Sequence, residues 1–253
     1  MESTSEEKAR IRRLVWRRLE EAGVARFPYG SGRIPNFAGA SKAAEILATL
    51  PAWRQARTLK CNPDYAQMPL RKLALQQGKT IYMAVPRLQG DKPFIQLDPG
   101  RLAGREAQAA TIAGAARFGR PVGPEEMRHI DGVVCGAVAV REDGARLGKG
   151  GGFSDLEFAI ARSLGLIDES TPVMTTVHEL QVLTEAIPML DHDVALTHFA
   201  TPERVVECGR RRRQPAGVHA GLLKEEQRTG IPLLARLLAR LPRQEPGEVG
   251  RPN

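Results

Sequence analysis

Near the N-terminus, apolar positions recur at helical spacing: Ile11, Leu14, Val15, Leu19 and Ala22 share one face, and Gly23 supplies a stop. Thr4 and Glu7 have the spacing of a capping box, which places the helix start beside them. The pattern breaks from Arg26 to Phe37, where Pro28, Gly30, Gly32 and Pro35 indicate a loop. It resumes as a helix over Ala38 to Leu50 that Pro51 is expected to end. Arg57 to Cys61 then reads as a strand, Asn62-Pro63-Asp64 as a turn, Tyr65 to Gln77 as a helix closed by Gly78, and Thr80 to Val85 as a buried strand. Together these form a β-α-β unit.

A short β-rich stretch surrounds Phe94 to Leu97, and the alanine-rich segment Arg105 to Arg117 favours a helix. Gly132 to Val140 is an uncharged run ending in a turn at Arg141 to Gly144, and predicts a central strand covered on both faces. Further strands are expected at Pro172 to Val177, Val194 to Thr197 and Arg204 to Glu207, with a last amphipathic helix over Leu222 to Leu241. Alternating strands and helices predict a three-layer α/β/α domain with a mostly parallel sheet, spanning residues 1–241 as one unit. The Arg210 to Arg213 run reads as a solvated loop and residues 242–253 as a flexible tail.

Composition narrows the partners. Of 253 residues, 37 are basic and 29 acidic, a net charge of +8 that suits phosphorylated small molecules as well as nucleic acid. Aromatic content of 5% is thin for base-stacking platforms, so RNA ranks behind nucleotides. No apolar run approaches the ~18 residues of a membrane span, and the polar first ten residues do not read as a signal peptide, so a cytoplasmic protein without membrane partners is expected. Cys61, Cys135 and Cys208 lie far apart and predict isolated buried thiols, with neither a disulfide framework nor a zinc site. His192 has two readings, as a group orienting Asp193 or a phosphate, or as a simple hydrogen-bonded histidine.

The stretch Arg146-Leu147-Gly148-Lys149-Gly150-Gly151-Gly152-Phe153-Ser154-Asp155 follows a strand and precedes a helix carrying Leu156, Ala159, Ile160 and Leu164. Glycines there let backbone N–H groups converge on an anion, the helix N-terminus adds its dipole, and Arg146 and Lys149 add full charges. Ser154 and Glu157 have capping-box spacing, placing the helix start just after the glycines. The loop lacks the Gly-Lys-Ser/Thr of a Walker A sequence and the third glycine of a dinucleotide fingerprint. A plain flexible connection is the alternative. On spacing alone, Lys8 and Arg12 likewise do no more than solvate one side of the first helix.

RLGKGGGFSD resembles the Arg-x-Gly-x-Gly-x-Gly-Tyr-Tyr-Asp signature of the 5-formyltetrahydrofolate cyclo-ligases, also called methenyltetrahydrofolate synthetases. Lys8 and Arg12, Gly78-Lys79 leading to Pro86-Arg87, and Pro188 to Asp193 resemble further family landmarks in the same order, over roughly Lys8 to Thr201. The resemblance implies a fold of the NagB/RpiA/CoA transferase-like type and a reaction in which ATP phosphorylates the formyl oxygen of 5-formyltetrahydrofolate, N10 attacks, and phosphate leaves to give 5,10-methenyltetrahydrofolate. It further implies that Lys8, Arg12, Arg146, Gly148, Lys149, Gly150, Gly151, Gly152 and Phe153 hold the nucleotide, with Arg146 and Lys149 acting in catalysis, and that Asp155 and Asp193 hold Mg²⁺. The second substrate is then a reduced folate or a related formylated compound.

Two departures stand out. Phe153 and Ser154 occupy the places of the paired tyrosines, and no acid lies between Tyr65 and Gln67, where the family's substrate-contacting glutamate would fall; Asp64 is the nearest. RIPNF (Arg33 to Phe37) and KCNPD (Lys60 to Asp64) resemble instead a divergent subgroup, the methenyltetrahydrofolate synthetase domain-containing proteins. Two function classes follow: an ATP-dependent cyclo-ligase or related ligase, and a catalytically inactive nucleotide- or RNA-binding scaffold on the same fold.

Overall fold

A computed structural model describes residues 3–209, 212–223 and 225–240. Helix α1 (Thr4–Glu21) is capped by Ser3, whose hydroxyl accepts from the Glu6 N–H while the Glu6 carboxylate accepts from the Ser3 N–H at 2.7 Å. The box therefore sits one residue before Thr4 and Glu7, because Glu7 is drawn into an ion pair with Arg10 at 2.7 Å. The following loop carries a minimal antiparallel pairing of β1 (Ala25–Arg26) with β2 (Asn36–Phe37). After α2 (Ala40–Leu47), Pro51 does not act as a stop but opens α3 (Pro51–Gln55), since the first helical turn needs no N–H from it.

Strand β3 (Thr58–Cys61), helix α4 (Met68–Gln76) and strand β4 (Thr80–Ala84) complete the expected β-α-β unit. Next come β5 (Phe94–Leu97), the short α5 (Pro99–Leu102), and α6 (Glu106–Ala109) with α7 (Ile112–Phe118). The single alanine-rich helix is thus broken, as Thr111 leaves helical geometry to accept the Gly114 N–H and cap α7. Then follow β6 (Arg120–Val122), β7 (Gly132–Val134), β8 (Ala139–Val140), β9 (Arg146–Leu147) and α8 (Phe153–Ser163). The chain ends with β10 (Val173–Thr176), β11 (His198–Ala200), β12 (Val205–Glu207), α9 (Glu225–Gly230) and α10 (Pro232–Arg240). The final helix is interrupted at Pro232, which cannot donate to the preceding turn. Arg210, Arg211, Leu241 and the tail 242–253 lie outside the described residues.

Eight strands form one sheet in the order β12-β11-β10-β7-β3-β4-β5-β6. The five from β11 to β4 are parallel, and β12, β5 and β6 join antiparallel at the edges. This is the mostly parallel sheet between helical layers that the sequence predicts. The Gly132–Val140 run, however, is not one strand: after Val134 the chain leaves the sheet, and Ala139–Val140 pairs antiparallel with Arg146–Leu147. Its uniform apolarity reports burial on every side rather than one continuous ladder. The strand expected at Val194 to Thr197 begins instead at His198, because the N–H groups of Val194 and Ala195 are taken by the side chains of Asp155 and Gln214.

The two-residue alternation of the strands assigns the layers. Leu59, Cys61, Ile81 and Met83 pack with α2, α3 and α4 on one face, while Tyr82, Val133 and Phe199 pack with α8 and α10 on the other. Lys60, between Leu59 and Cys61, therefore points to the α8 side, where it meets Glu157. Helix α1 covers the β8–β9 hairpin through Ile11, Val15 and Leu19, bringing its basic face to the loop after β9. Cys61 and Cys135 are buried free thiols and Cys208 is partly exposed. Among the described residues no helix is long and apolar enough to cross a membrane.

Candidate functional site

Strand β9 delivers the chain into Gly148–Gly152 at the carboxyl end of the parallel strands, and α8 begins at Phe153. Gly150 and Gly152 have φ of 103° and 69°, left-handed values that a side chain would strain, and Gly152 is the helix cap. Capping by the glycine backbone leaves Ser154 inside the first turn, so its expected box with Glu157 does not form, and Glu157 turns into the interior.

Four cations surround this loop. Arg12 donates from Nε to the Gly148 carbonyl at 2.8 Å. Burial pulls its guanidinium below the usual range, opposed by the charges of Asp193 and Asp155. Lys8 contacts Asp193 closely. Lys149, half-exposed, lies 3.4 Å from Asp64. Arg146, with only 1% of its side chain exposed, closes on Asp155 and donates to the carbonyls of Gly136 (2.9 Å) and Val194 (3.0 Å). Burial opposes its charge, but Asp155 outweighs that and raises its pKa. Lys8, Arg12, Lys149 and Asp193 thus converge with the glycines, while Arg146 sits beneath them as a clamp on the backbone and on Asp155.

Both proposed metal ligands keep one oxygen open. Asp155 Oδ1 accepts from Arg146 and from the Val194 N–H, and Asp193 Oδ2 from Lys8 and from the Leu190 N–H at 2.6 Å; among the described residues Asp155 Oδ2 and Asp193 Oδ1 take no hydrogen bond. No group of three or more His, Cys, Asp or Glu with metal-site geometry occurs among the described residues. Two hard carboxylate oxygens nevertheless fit Mg²⁺, which retains water and phosphate oxygens in its shell. The surrounding ammonium and guanidinium groups fit the phosphates that would accompany it.

Two hollows share Gly151, Gly152 and Asp155. One, of about 210 Å³, is lined on its far side by Leu156, Ala159, Val218 and Leu223, with His192 at its edge. The other, of about 450 Å³, runs past Lys149 and Phe153 over Gly136 and Asp64 to a floor at Asn62 and Glu157. The sequence reading placed Asn62 in a turn and Glu157 in a capping box, and gave neither of them, nor Lys60, a part in binding. Their signal was available as a lysine inside the apolar strand TLKC and a glutamate inside the apolar run LEFAIA, both out of place unless paired.

A profile of the 5-formyltetrahydrofolate cyclo-ligase family matches residues 4–202. The chain belongs to this family. It is 40% identical over 237 residues to the methenyltetrahydrofolate synthase domain-containing protein of Mus musculus, covering 92% of this chain and 63% of that protein. The Bos taurus protein of the same name is 39% identical over 230 residues, 90% of this chain and 60% of that one. The chain thus spans less than two thirds of the length of these relatives. A 5-formyltetrahydrofolate cyclo-ligase of Mycolicibacterium smegmatis is 38% identical over 96 residues, 36% of this chain and 46% of that one. Among solved structures, the 5,10-methenyltetrahydrofolate synthetase of Aquifex aeolicus superposes with a TM-score of 0.49 at 19% identity, over 86% of this chain and 99% of that one.

Proposed function

We propose that this cyclo-ligase family member binds Mg–ATP at the Gly148–Gly152 loop and uses it to activate the formyl oxygen of 5-formyltetrahydrofolate, or of a related formylated substrate, for cyclisation. The observation that carries the reading is the meeting of two hollows at one loop ringed by Lys8, Arg12 and Lys149 beside the open oxygens of Asp155 and Asp193. The smaller hollow, with Leu156, Ala159, Val218 and Leu223 along one wall, suits the nucleoside and the larger one the second substrate, so that the transferred phosphoryl group would lie at the shared glycines. Mg²⁺, when bound, would neutralise charge on the phosphate oxygens.

Phosphoryl transfer requires little of the protein beyond position and charge. Lys8, Arg12 and Lys149 supply donors that can leave their present carboxylate or carbonyl partners for phosphate oxygens. Arg146 fixes Asp155 and the Gly136 and Val194 backbone on either side of the site, and so acts by positioning. The family acts on folates; here Phe153, in place of a tyrosine, presents an apolar edge to the larger cleft.

The test is release of ADP and phosphate across a panel of reduced folates, with the absorbance of a methenyl product followed in parallel. Folate-stimulated ADP release supports the ligase. Mg–ATP binding without any folate-stimulated release would leave the inactive nucleotide-binding scaffold as the function.

A further inference from the structure

The floor of the larger cleft is built from a buried charge. Glu157 is 6% exposed and Lys60 2%, and the two form an ion pair between α8 and β3. The same Lys60 ammonium donates to Asn62 Oδ1 at 2.8 Å. One cation thereby holds a carboxylate and an amide next to each other, each by a single oxygen. Both Asn62 and Glu157 line the cleft. Among the described residues, neither Glu157 Oε1 nor the Asn62 amide nitrogen has a hydrogen-bond partner.

Such an arrangement is a poor way to stabilise a core, because desolvating two charges consumes most of what their attraction returns. It is a good way to orient a ligand. A carboxylate only accepts and an amide NH₂ only donates, so the floor presents an acceptor beside a donor, fixed by a lysine that cannot turn away without leaving the buried Glu157 carboxylate unpaired. The complement is a ligand edge with an N–H beside a carbonyl.

We infer that Glu157 and Asn62, clamped by Lys60, read the lactam edge of the second substrate, an N–H and an adjacent C=O on a 4-oxopyrimidine-type ring. The inference rests on the folate reading above and names the residues that select the ring. Glu157 takes the ring N–H and Asn62 donates to the ring carbonyl. It assigns this role to the cleft floor rather than to Asp64, which is occupied with Lys149 near the glycine loop.

The ligand pair that isolates this edge is 5-formyltetrahydrofolate and its 4-amino-4-deoxy counterpart, in which the carbonyl becomes an amino donor and the neighbouring nitrogen loses its proton. Binding of each is measured by calorimetry with Mg–ATP present, for the parent protein, Glu157→Gln and Asn62→Asp. The parent is expected to prefer the oxo compound by about tenfold or more, since a wrong edge leaves buried groups unpaired. Asn62→Asp puts an acceptor where the donor stood while keeping a partner for Lys60, and is expected to abolish or invert the preference. Glu157→Gln is expected to reduce it. A ratio is insensitive to a general loss of folded protein, so a merely structural role would not move it.

Equal binding of both compounds by the parent, or an unchanged ratio in both variants, would overturn the inference while leaving the folate reading intact. Mg–ATP binding with neither compound bound would overturn both.

Discussion

Arg12 on the first helix reaches the carbonyl of Gly148, 136 residues later in the chain, at 2.8 Å. Its guanidinium also lies against Gly150, where an added Cβ would come within 3.3 Å of it, so the helix sets the path of the glycine loop as well as its charge. Arg12→Ala is therefore expected to remove most of the stabilisation conferred by Mg–ATP, a term of about 2.7 kcal/mol for a ligand at roughly 100 times its Kd. Thermal melts with and without Mg–ATP provide the check. A shift as large as that of the parent protein would detach α1 from the nucleotide site.

Asp155 has two tasks, and they separate experimentally. Without ligand it compensates the buried Arg146 guanidinium, so Asp155→Ala should destabilise the empty protein by on the order of 3 kcal/mol, the scale for orphaning one member of a buried pair. Asp193→Ala orphans Lys8, which is less deeply buried, and should cost less. Both should weaken Mg–ATP binding. Denaturant titrations rank the two costs; equal stability of Asp155→Ala and the parent would show that Arg146 is held by its backbone acceptors alone.

A different carboxylate is expected to contribute to acid sensitivity. The Glu126 pKa falls from 4.5 to about 2, chiefly through the Gly123 N–H at 3.0 Å, then through Lys92, with Arg120 adding to them. A depressed acid contributes stability above its unfolded value of 4.5 and loses it as the pH falls through about 2. Asp143 and Glu179 are also held low: burial opposes this, and Arg212 for the first, Thr201 and Arg204 for the second, overcome it. Melting temperature should therefore drop in this acid window, and Glu126→Gln should start lower and drop less. Parallel pH profiles for the two proteins would show that Glu126 has no part in it.

The parallel sheet was legible because its inner strands are short apolar runs between clear punctuation: Asn62-Pro63-Asp64 after β3, and Gly78 before β4. The glycine loop was legible for the same reason, its sequence being needed for left-handed turns. What escaped were features decided by side chains far apart in sequence. Arg146 carries the charge expected of a phosphate ligand, but its partners at Gly136, Asp155 and Val194 come from three separate segments. Val194 and Ala195 look like strand, yet Asp155 and Gln214 take their N–H groups. Lys60 and Glu157 lie 97 positions apart, and local periodicity marks each only as an anomaly.

Gly136 offers a way to close the second-substrate cleft without touching the nucleotide. A Cβ at this position would lie 2.7 Å from Asp64 Oδ2 and 2.7 Å from Ile34 Cγ1, both at the cleft wall. Neither distance is tolerable, so Asp64 and Ile34 must both shift and disturb the cleft wall they form, at a cost of about 1–3 kcal/mol typical of overpacking. The Gly136 carbonyl that holds Arg146 belongs to the backbone and survives the change. Gly136→Ala should consequently retain its melting shift with Mg–ATP and lose folate-stimulated ADP release by tenfold or more, about 1.4 kcal/mol per factor of ten in transition-state terms. Gly148→Ala gives the contrast, because a Cβ there faces only the Arg146 guanidinium at 3.4 Å and leaves the cleft floor open. If Gly136→Ala instead abolished the Mg–ATP shift and spared folate binding, the assignment of the two hollows would have to be exchanged.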